Sequence, residues 1–122
     1  MKNRILIGDD KEQVRTALAR ALKLRKLEAD LVSTPEETIA KARTGNYSAV
    51  ITDLEYTENG REGYEVLRQI RNIPALKILY TGQMGFEYAA EGFAEGADYV
   101  VLRKDESQLM ELLDKTTEGG IK

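Results

Sequence analysis

Carboxylates stand close after two short apolar runs in this sequence of 122 residues. Asp9 and Asp10 follow the run 5–7 after one glycine, and Asp53 follows the run 49–51, which is rich in β-branched residues, after one threonine. A carboxylate at the carboxyl end of a buried strand lies where open α/β sheets place their ligand crevice. An aspartate at such a position can also do no more than cap a turn, so Asp53 alone does not decide between the two interpretations.

Later apolar runs end in a hydroxyl and in cationic side chains. Thr81 follows the fourth run, and Arg103 and Lys104 follow the fifth. If these runs are parallel strands, their carboxyl ends meet the carboxylates on one edge of a sheet. Carboxylates that meet there repel one another and require a proton or a cation, while the hydroxyl and the cationic side chain suit a tetrahedral oxyanion. Asp53 is then placed to attack a phosphoryl group and carry it as an acyl phosphate.

The composition limits the chemistry that is open to the chain. Cysteine and histidine are both absent, which excludes thiolate sites, imidazole bases and the commonest transition-metal ligand. A bound metal must be held by oxygen, which favours a hard cation such as Mg²⁺. The net charge of -3 and the scattered basic residues argue against direct binding of nucleic acid. Every apolar run is too short for a signal peptide or a membrane span, so we expect a cytoplasmic protein that does not enter the membrane.

Hydrophobic periodicity predicts five strands, each followed by a helix. Helix starts are marked by Thr34 with Pro35 and Glu37, and by Asp105 with Gln108. Short strands that alternate with helices imply an α/β fold, a three-layer, doubly wound parallel sheet covered on both faces. The strands are predicted at 5–7, 28–33, 49–53, 76–80 and 99–102, and the helices at about 11–26, 34–43 and 65–71, around 89–94 and after 105. The residues expected to face the core from the last two helices are Ala89, Ala90, Phe93, Ala94, Leu109, Leu112 and Leu113.

Several short motifs occur in order on these elements, and together they resemble the receiver domain of two-component response regulators. The resemblance extends over nearly the whole chain and implies a flavodoxin-like sheet with strand order 2-1-3-4-5. It places the receiver domain at residues 1–118, with a C-terminal tail at 119–122 and no output domain in this chain. The motifs are Ile-Leu-Ile-Gly-Asp-Asp, Ala-Val-Ile-Thr-Asp-Leu, Ile-Leu-Tyr-Thr-Gly, Glu-Gly-Ala-Asp-Tyr and the Lys-Asp pair after the last strand.

The resemblance also implies roles for the residues at the strand ends. Asp53 would be phosphorylated in a Mg²⁺-dependent reaction by the phosphohistidine of a partner kinase. Asp9, Asp10 and Asp53 would hold the metal, with the backbone carbonyl of Glu55 as a further ligand. Thr81 would bind the phosphoryl group and move towards it.

A switch and a set of partners follow from the same resemblance. Tyr99 is expected to move into the space that Thr81 vacates, which would change the surface of the fourth helix, fifth strand and fifth helix. The implied partners are a histidine kinase or phosphotransfer protein and a downstream protein or fused output domain. We expect a monomer or weak dimer that assists its own phosphorylation and dephosphorylation, not a conventional turnover enzyme.

The chain departs from the family pattern in the loop after Asp53 and in the cation after the last strand. Tyr56 and Thr57 replace a Met-Pro or similar pair, and the glycine that starts the next helix comes about two residues late. A straight count from Gly96 puts Arg103 at the family's lysine. However, Tyr99 and Lys104 keep the odd separation of the family's aromatic and lysine, so the alternation of side chains in a strand favours Lys104.

Other functions remain open. A haloacid-dehalogenase-type phosphotransferase would need a second aspartate where Glu55 stands, on a motif after the first strand. A flavin-binding domain of similar fold would not need the acidic residues and would want phosphate-binding loops that this sequence lacks. The more serious alternative is a receiver-like interaction module that signals without phosphorylation.

Overall fold

Parallel pairing brings the apolar runs together into one sheet. In the computed structural model, which describes residues 4–83 and 85–117, five strands pair in parallel in the spatial order second, first, third, fourth, fifth. This confirms the predicted fold class and strand order. The strands are β1 (Arg4–Gly8), β2 (Glu28–Val32), β3 (Ala49–Thr52), β4 (Leu76–Thr81) and β5 (Tyr99–Leu102).

A helix follows each strand, and a short 3₁₀ turn, Arg103–Asp105, separates β5 from the last helix. No helix within the described ranges combines the length and the apolar character that crossing a bilayer requires. The predicted C-terminal tail, 119–122, lies outside the described residues. The helices are α1 (Glu12–Leu24), α2 (Pro35–Thr44), α3 (Glu62–Gln69), α4 (Phe86–Glu95) and α5 (Glu106–Thr117).

Both faces of the sheet are buried, which is why the central strands read as continuous apolar runs. Side chains on one face pack against α1 and α5, and those on the other face pack against α2, α3 and α4. The first face joins Ile5, Ile7, Ile51 and Ile78 to Leu18, Leu22, Leu109 and Leu113; the second joins Leu6, Val50 and Leu79 to Val66, Leu67 and Ile70.

The start of α2 has the predicted cap. Thr34 has extended backbone angles, and its Oγ1 accepts a hydrogen bond of 3.1 Å from the backbone N–H of Glu37. Glu37 Oε1 in turn accepts from the backbone N–H of Ser33, also at 3.1 Å. The first bond satisfies a donor that the first turn of a helix leaves without a partner, and the second ties Glu37 to the residue before the cap, so the local sequence fixes where α2 begins.

The predicted inward stripe of α4 is wrong. Phe93 is 51% exposed, and Ala90 and Ala94 are exposed as well. The helix meets the sheet through Gly92 instead, where an added Cβ would lie 2.9 Å from Leu79 Cδ2 and 3.0 Å from Val100 Cγ2. Close approach at the glycine turns the Phe93 side of the helix outwards.

The start of α5 also differs from the prediction. Asp105 is the last residue of the 3₁₀ turn and not an extended N-cap, because the chain passes directly from that turn into helical geometry at Glu106. The extended residue at this junction is Leu102, with φ -80° and ψ 145°. The inward positions of α5 are nevertheless those predicted, since Leu109 and Leu113 are buried and Leu112 is half-buried.

Candidate functional site

Three aspartates converge at the carboxyl ends of β1 and β3. Gly8 and Thr52 are paired in the sheet, so Asp9 and Asp53 leave the two strands side by side. The backbone N–H of Asp53 donates to Gly8 O at 2.9 Å, which extends the pairing to the aspartate itself. One carboxylate oxygen from each of Asp9, Asp10 and Asp53 lies within 4.8 Å of the other two. We call these three residues the acidic cluster.

Two members of the acidic cluster are buried, which strongly affects their protonation. Asp9 and Asp53 are each only 2% exposed, whereas Asp10 is exposed. Burial, followed by the nearby charge of Asp9, raises the pKa of Asp53 to about 7, although Arg103 and the N–H of Leu54 oppose the rise. Burial also raises the pKa of Asp9. Without a further cation, Asp53 is therefore partly protonated near neutral pH.

The carboxylate of Asp53 is incompletely hydrogen-bonded. Its Oδ1 accepts from the backbone N–H of Leu54 at 2.8 Å. Its Oδ2 is buried and has no hydrogen-bond partner among the described residues. Asp9 Oδ1 accepts from the backbone N–H of Lys11 at 2.9 Å. An unpartnered buried carboxylate oxygen is costly and marks a place where a ligand or ion can bind.

Arg103, and not Lys104, reaches the acidic cluster. Arg103 Nη2 lies 2.8 Å from Asp53 Oδ1 and 3.1 Å from Asp9 Oδ2. Lys104 is exposed, and the ion pairs to the cluster within the described ranges come from Arg103 and Lys11. The geometry therefore differs from the prediction that favoured Lys104. Side chains do not alternate between the faces of the sheet at this point, because β5 ends at Leu102 and a 3₁₀ turn follows.

A cavity of about 260 Å³ opens beside the acidic cluster. Thr81 is buried at its wall, and Thr81 Oγ1 accepts from the backbone N–H of Gln83 at 3.0 Å. The Gln83 amide donates in turn to the carboxylate of Glu55. Gln83 and Lys11 have no motif of their own, and neither was predicted from the sequence. The cavity is lined by Lys11, Asp53, Glu55, Thr81, Gly82, Gln83 and Arg103.

The acidic cluster has the donor set of a hard divalent cation. All of its donors are carboxylate oxygens, one of them is buried and has no partner in the described part of the chain, and Asp10 extends the cluster to the surface. These features fit Mg²⁺ or a similar ion. The carboxylate of Glu55 is hydrogen-bonded to Gln83, and the role expected for the Glu55 carbonyl stays a prediction.

Tyr99 lies on the wrong face of the sheet for the predicted switch. The strand register pairs Tyr99 with Ile78, which belongs to the core under α1 and α5. Thr81 lies two residues after Leu79 in β4, so both side chains point to the same face of the sheet. This is the face that α4 covers, opposite to the face of Ile78 and Tyr99. Tyr99 cannot enter space that Thr81 vacates without crossing the sheet. Val100, which pairs with Leu79, is the β5 residue on the same face as Thr81.

Tyr56 is the anchor of the unusual loop after Asp53. Its hydroxyl is buried, 2.7 Å from Thr52 Oγ1 and 3.0 Å from Thr38 Oγ1. We call these three residues the hydroxyl cluster. Gly8 makes room for it, since an added Cβ would overlap the Tyr56 hydroxyl and lie 2.9 Å from Thr38 Cγ2. From the sequence, Tyr56 was recognised only as a departure from the family pattern, and its contacts to Thr38 and Thr52 were not predicted.

Glu62 closes the same loop and starts α3 earlier than the predicted residue 65. Glu62 Oε1 accepts from the backbone N–H of Tyr56 at 3.0 Å, and its carboxylate also bonds to the Thr57 hydroxyl. The N–H of Gly63 then donates to Leu54 O at 2.8 Å. An added Cβ at Gly63 would overlap Asp53 O and lie 2.6 Å from Leu54 Cα, so only glycine lets α3 approach this closely. The loop is therefore hydrogen-bonded near both of its ends to the residues next to Asp53, through Tyr56 to Thr52 and through Gly63 to Leu54.

Comparison with known proteins agrees with this geometry. The family model of the response regulator receiver domain matches residues 5–114. No curated protein matches the chain. Among solved structures, a response regulator receiver protein from Pseudomonas putida is 26% identical, with a TM-score of 0.81 over 94% of this chain and 98% of that one.

Two other solved structures carry ligands or modifications. The response regulator TrrA from Thermotoga maritima, in complex with Mg(2+)-BeF, is 29% identical, with a TM-score of 0.76 over 93% of this chain and 99% of that chain. A response regulator from Burkholderia pseudomallei, with a phosphorylated aspartic acid, a calcium ion and citrate, is 22% identical, with a TM-score of 0.79 over 99% of this chain and 72% of that chain. Since the family model covers most of the sequence, the chain belongs to the response regulator receiver domain family.

Proposed function

We propose that the chain receives a phosphoryl group on Asp53 from the phosphohistidine of a partner histidine kinase or phosphotransfer protein. A carboxylate oxygen of Asp53 attacks the phosphorus, the phosphorus–nitrogen bond breaks, and its electron pair stays on the departing imidazole. The observation that supports this most directly is the buried, unpartnered Oδ2 of Asp53 in a residue that lines an open cavity. The solved relatives with Mg(2+)-BeF or a phosphorylated aspartic acid agree with it.

Residues around the cavity supply the remaining parts of the proposed reaction. Asp9, Asp10 and Asp53 would hold Mg²⁺, and the bound cation would favour ionised Asp53 and neutralise charge on the transferred oxygens. Thr81 offers a hydroxyl, and Arg103 is the cationic side chain nearest to Asp53. We assign Arg103 the cationic role that the sequence analysis gave to Lys104, because Lys104 faces solvent.

We further propose that phosphorylation changes the surface formed by α4, β5 and α5, where a downstream protein or fused output domain would bind. Large apolar side chains are exposed on this surface. Phe86 is 85% exposed, and Phe93 and Tyr99 are 51% and 43% exposed. The response would pass from Thr81 to Val100 and α4 on one face of the sheet. In this role the chain would act as a cytoplasmic switch and not as a turnover enzyme.

A second function, an interaction module that signals without phosphorylation, is favoured by one observation. Arg103 already contacts both Asp9 and Asp53, so the acidic cluster is partly neutralised within the chain itself. Such a module would keep the fold and the exposed apolar residues of α4 but would gain no phosphoryl group.

Incubation with acetyl phosphate and MgCl₂, followed by intact mass spectrometry, distinguishes the two functions. We expect the wild type to gain the mass of one phosphoryl group and Asp53→Ala to gain none, because the nucleophile is missing. Asp105→Asn changes an exposed aspartate in the 3₁₀ turn and serves as a control that should label like the wild type. A wild type without added mass, or an Asp53→Ala variant labelled at the wild-type rate, would contradict phosphorylation at Asp53.

A further inference from the structure

Arg103 lies between two of the carboxylates to which the proposed function assigns the metal. A single nitrogen, Nη2, is 2.8 Å from Asp53 Oδ1 and 3.1 Å from Asp9 Oδ2. The positive charge that balances these two buried acids is thus supplied by the chain itself.

The guanidinium is nevertheless held incompletely. Its Nε is buried and has no hydrogen-bond partner among the described residues, so both ion pairs depend on Nη2. The side chain is 26% exposed and lines the same cavity as Asp53. Gly82 leaves space beside it, because even an added Cβ there would lie 3.5 Å from Arg103 Nη1. Arg103 therefore has room to move, and Nε would regain hydrogen bonds to water on leaving.

We propose that Arg103 is an internal competitor of the divalent cation. The guanidinium and the cation bind the Asp9–Asp53 pair in alternation, so metal binding is coupled to release of Arg103 from the two carboxylates. The inference rests on the proposed function for the identity of the metal site. It adds that this chain sets its own threshold for Mg²⁺ through Arg103, a residue that is not itself a metal ligand.

Coulomb's law predicts that Arg103 lowers the affinity of the two carboxylates for a divalent cation. A unit positive charge about 3 Å from both carboxylates offsets part of their attraction for an incoming cation, and moving that charge away requires free energy. Asp10 contributes differently, because it is exposed and its nearest cation, Lys11 Nζ, lies 3.5 Å from Asp10 Oδ1. Asp10 is thus accessible to a cation while Arg103 still holds the other two.

Calorimetric titration with MgCl₂, without any phosphoryl donor, measures the competition. We expect Arg103→Gln to bind Mg²⁺ about tenfold more tightly than the wild type, because the competing charge is removed. Lys104→Gln removes the same charge from the exposed neighbouring residue and should change the affinity by less than about twofold. Equal affinities in Arg103→Gln and Lys104→Gln would overturn the inference.

A second measurement uses the unmodified protein. By reciprocity, saturation with Mg²⁺ should shift the NMR resonance of the Arg103 Nε–Hε group and speed its exchange with water. An Arg103 resonance that Mg²⁺ leaves unchanged, while the Asp53 amide shifts, would show that the guanidinium stays in place and would also overturn the inference.

The outcomes separate this inference from the proposed function. If the wild type accepts a phosphoryl group but Arg103→Gln binds Mg²⁺ no more tightly, the inference fails and the proposed function stands. If Arg103→Gln binds Mg²⁺ more tightly but the wild type gains no phosphoryl mass, the inference is supported and the proposed function fails.

Discussion

Two buried polar clusters adjoin the end of β3, and they differ in how completely their atoms are paired. In the hydroxyl cluster, the Tyr56 hydroxyl lies within hydrogen-bond distance of both Thr38 Oγ1 and Thr52 Oγ1, and these two threonines donate to Thr34 O and Asp53 O, so each hydroxyl has a partner. In and beside the acidic cluster, by contrast, Asp53 Oδ2 and Arg103 Nε have no hydrogen-bond partner within residues 4–83 and 85–117.

The difference separates a structural cluster from a functional one. A fully paired buried network stabilises one conformation and has little capacity for a ligand. A buried carboxylate with a free oxygen costs free energy in the absence of a ligand, and a protein keeps such a group where a ligand or a reaction compensates. We therefore expect changes in the hydroxyl cluster to alter stability, and changes in the acidic cluster to alter phosphorylation and pH dependence.

The largest loss of stability should come from filling the space beside the hydroxyl cluster. Gly8→Ala would place a Cβ against the Tyr56 hydroxyl and 2.9 Å from Thr38 Cγ2. Overpacking of this kind is expected to lower the free energy of unfolding by about 3 kcal/mol. Urea denaturation followed by circular dichroism measures the loss. Gly82→Ala is a control, since its nearest neighbour would be 3.5 Å away, and similar losses in both variants would contradict the steric explanation.

Asp53→Asn should change how stability depends on pH. The pKa of Asp53 is raised from its ordinary value of 3.8 to about 7 in the folded state, so between these values the folded protein binds more protons than the unfolded chain. The stability due to protonated Asp53 is therefore complete below pH 4 and is lost as pH rises through 7.

Urea titrations at several pH values, with chelator present, measure this dependence. We expect wild-type stability to fall between pH 4 and pH 8, and Asp53→Asn to show a much smaller fall because the amide does not ionise. Asp105→Asn, at an exposed site, should follow the wild type. Parallel pH profiles for the wild type and Asp53→Asn would show that Asp53 is not the group responsible.

The smallest effect is expected from removing one hydroxyl. Tyr56→Phe keeps the ring but loses the contacts to Thr38 and Thr52, so the free energy of unfolding should fall by about 1 kcal/mol. Labelling by acetyl phosphate should remain close to that of the wild type, because both partners are threonines outside the acidic cluster. A variant with normal stability and impaired labelling would reverse the roles that we assign to the two clusters.

The sequence predicted most of the features that local patterns control. Apolar runs and the cap at Thr34 determine strands and helix starts, and the resemblance to receiver domains supplied the strand order that the structure confirms. The convergence of Asp9, Asp10 and Asp53 followed from parallel strands, whose carboxyl ends share one edge of the sheet.

The features that sequence reasoning missed depend on tertiary contacts. The alternation of side chains along a strand favoured Lys104, but β5 ends at Leu102 and the 3₁₀ turn that follows places Arg103 beside Asp53. The apolar periodicity of α4 predicted that Phe93 faces the core. It gave no sign that Gly92 packs closely on Leu79 and so turns Phe93 towards solvent. The hydroxyl cluster joins residues of α2, β3 and the loop, and it could be recognised only once the sheet had been assembled.

Chemical trapping of the phosphorylated residue is the most direct test of the proposed function. After treatment with acetyl phosphate and MgCl₂, borohydride reduces an aspartyl phosphate to homoserine, and peptide mass spectrometry then identifies the residue that was converted. We predict conversion at Asp53 in the wild type and no conversion in protein that was not exposed to the phosphoryl donor. Conversion at another aspartate, or none in protein that has gained phosphoryl mass, would contradict the assignment of Asp53 as the phosphoryl acceptor.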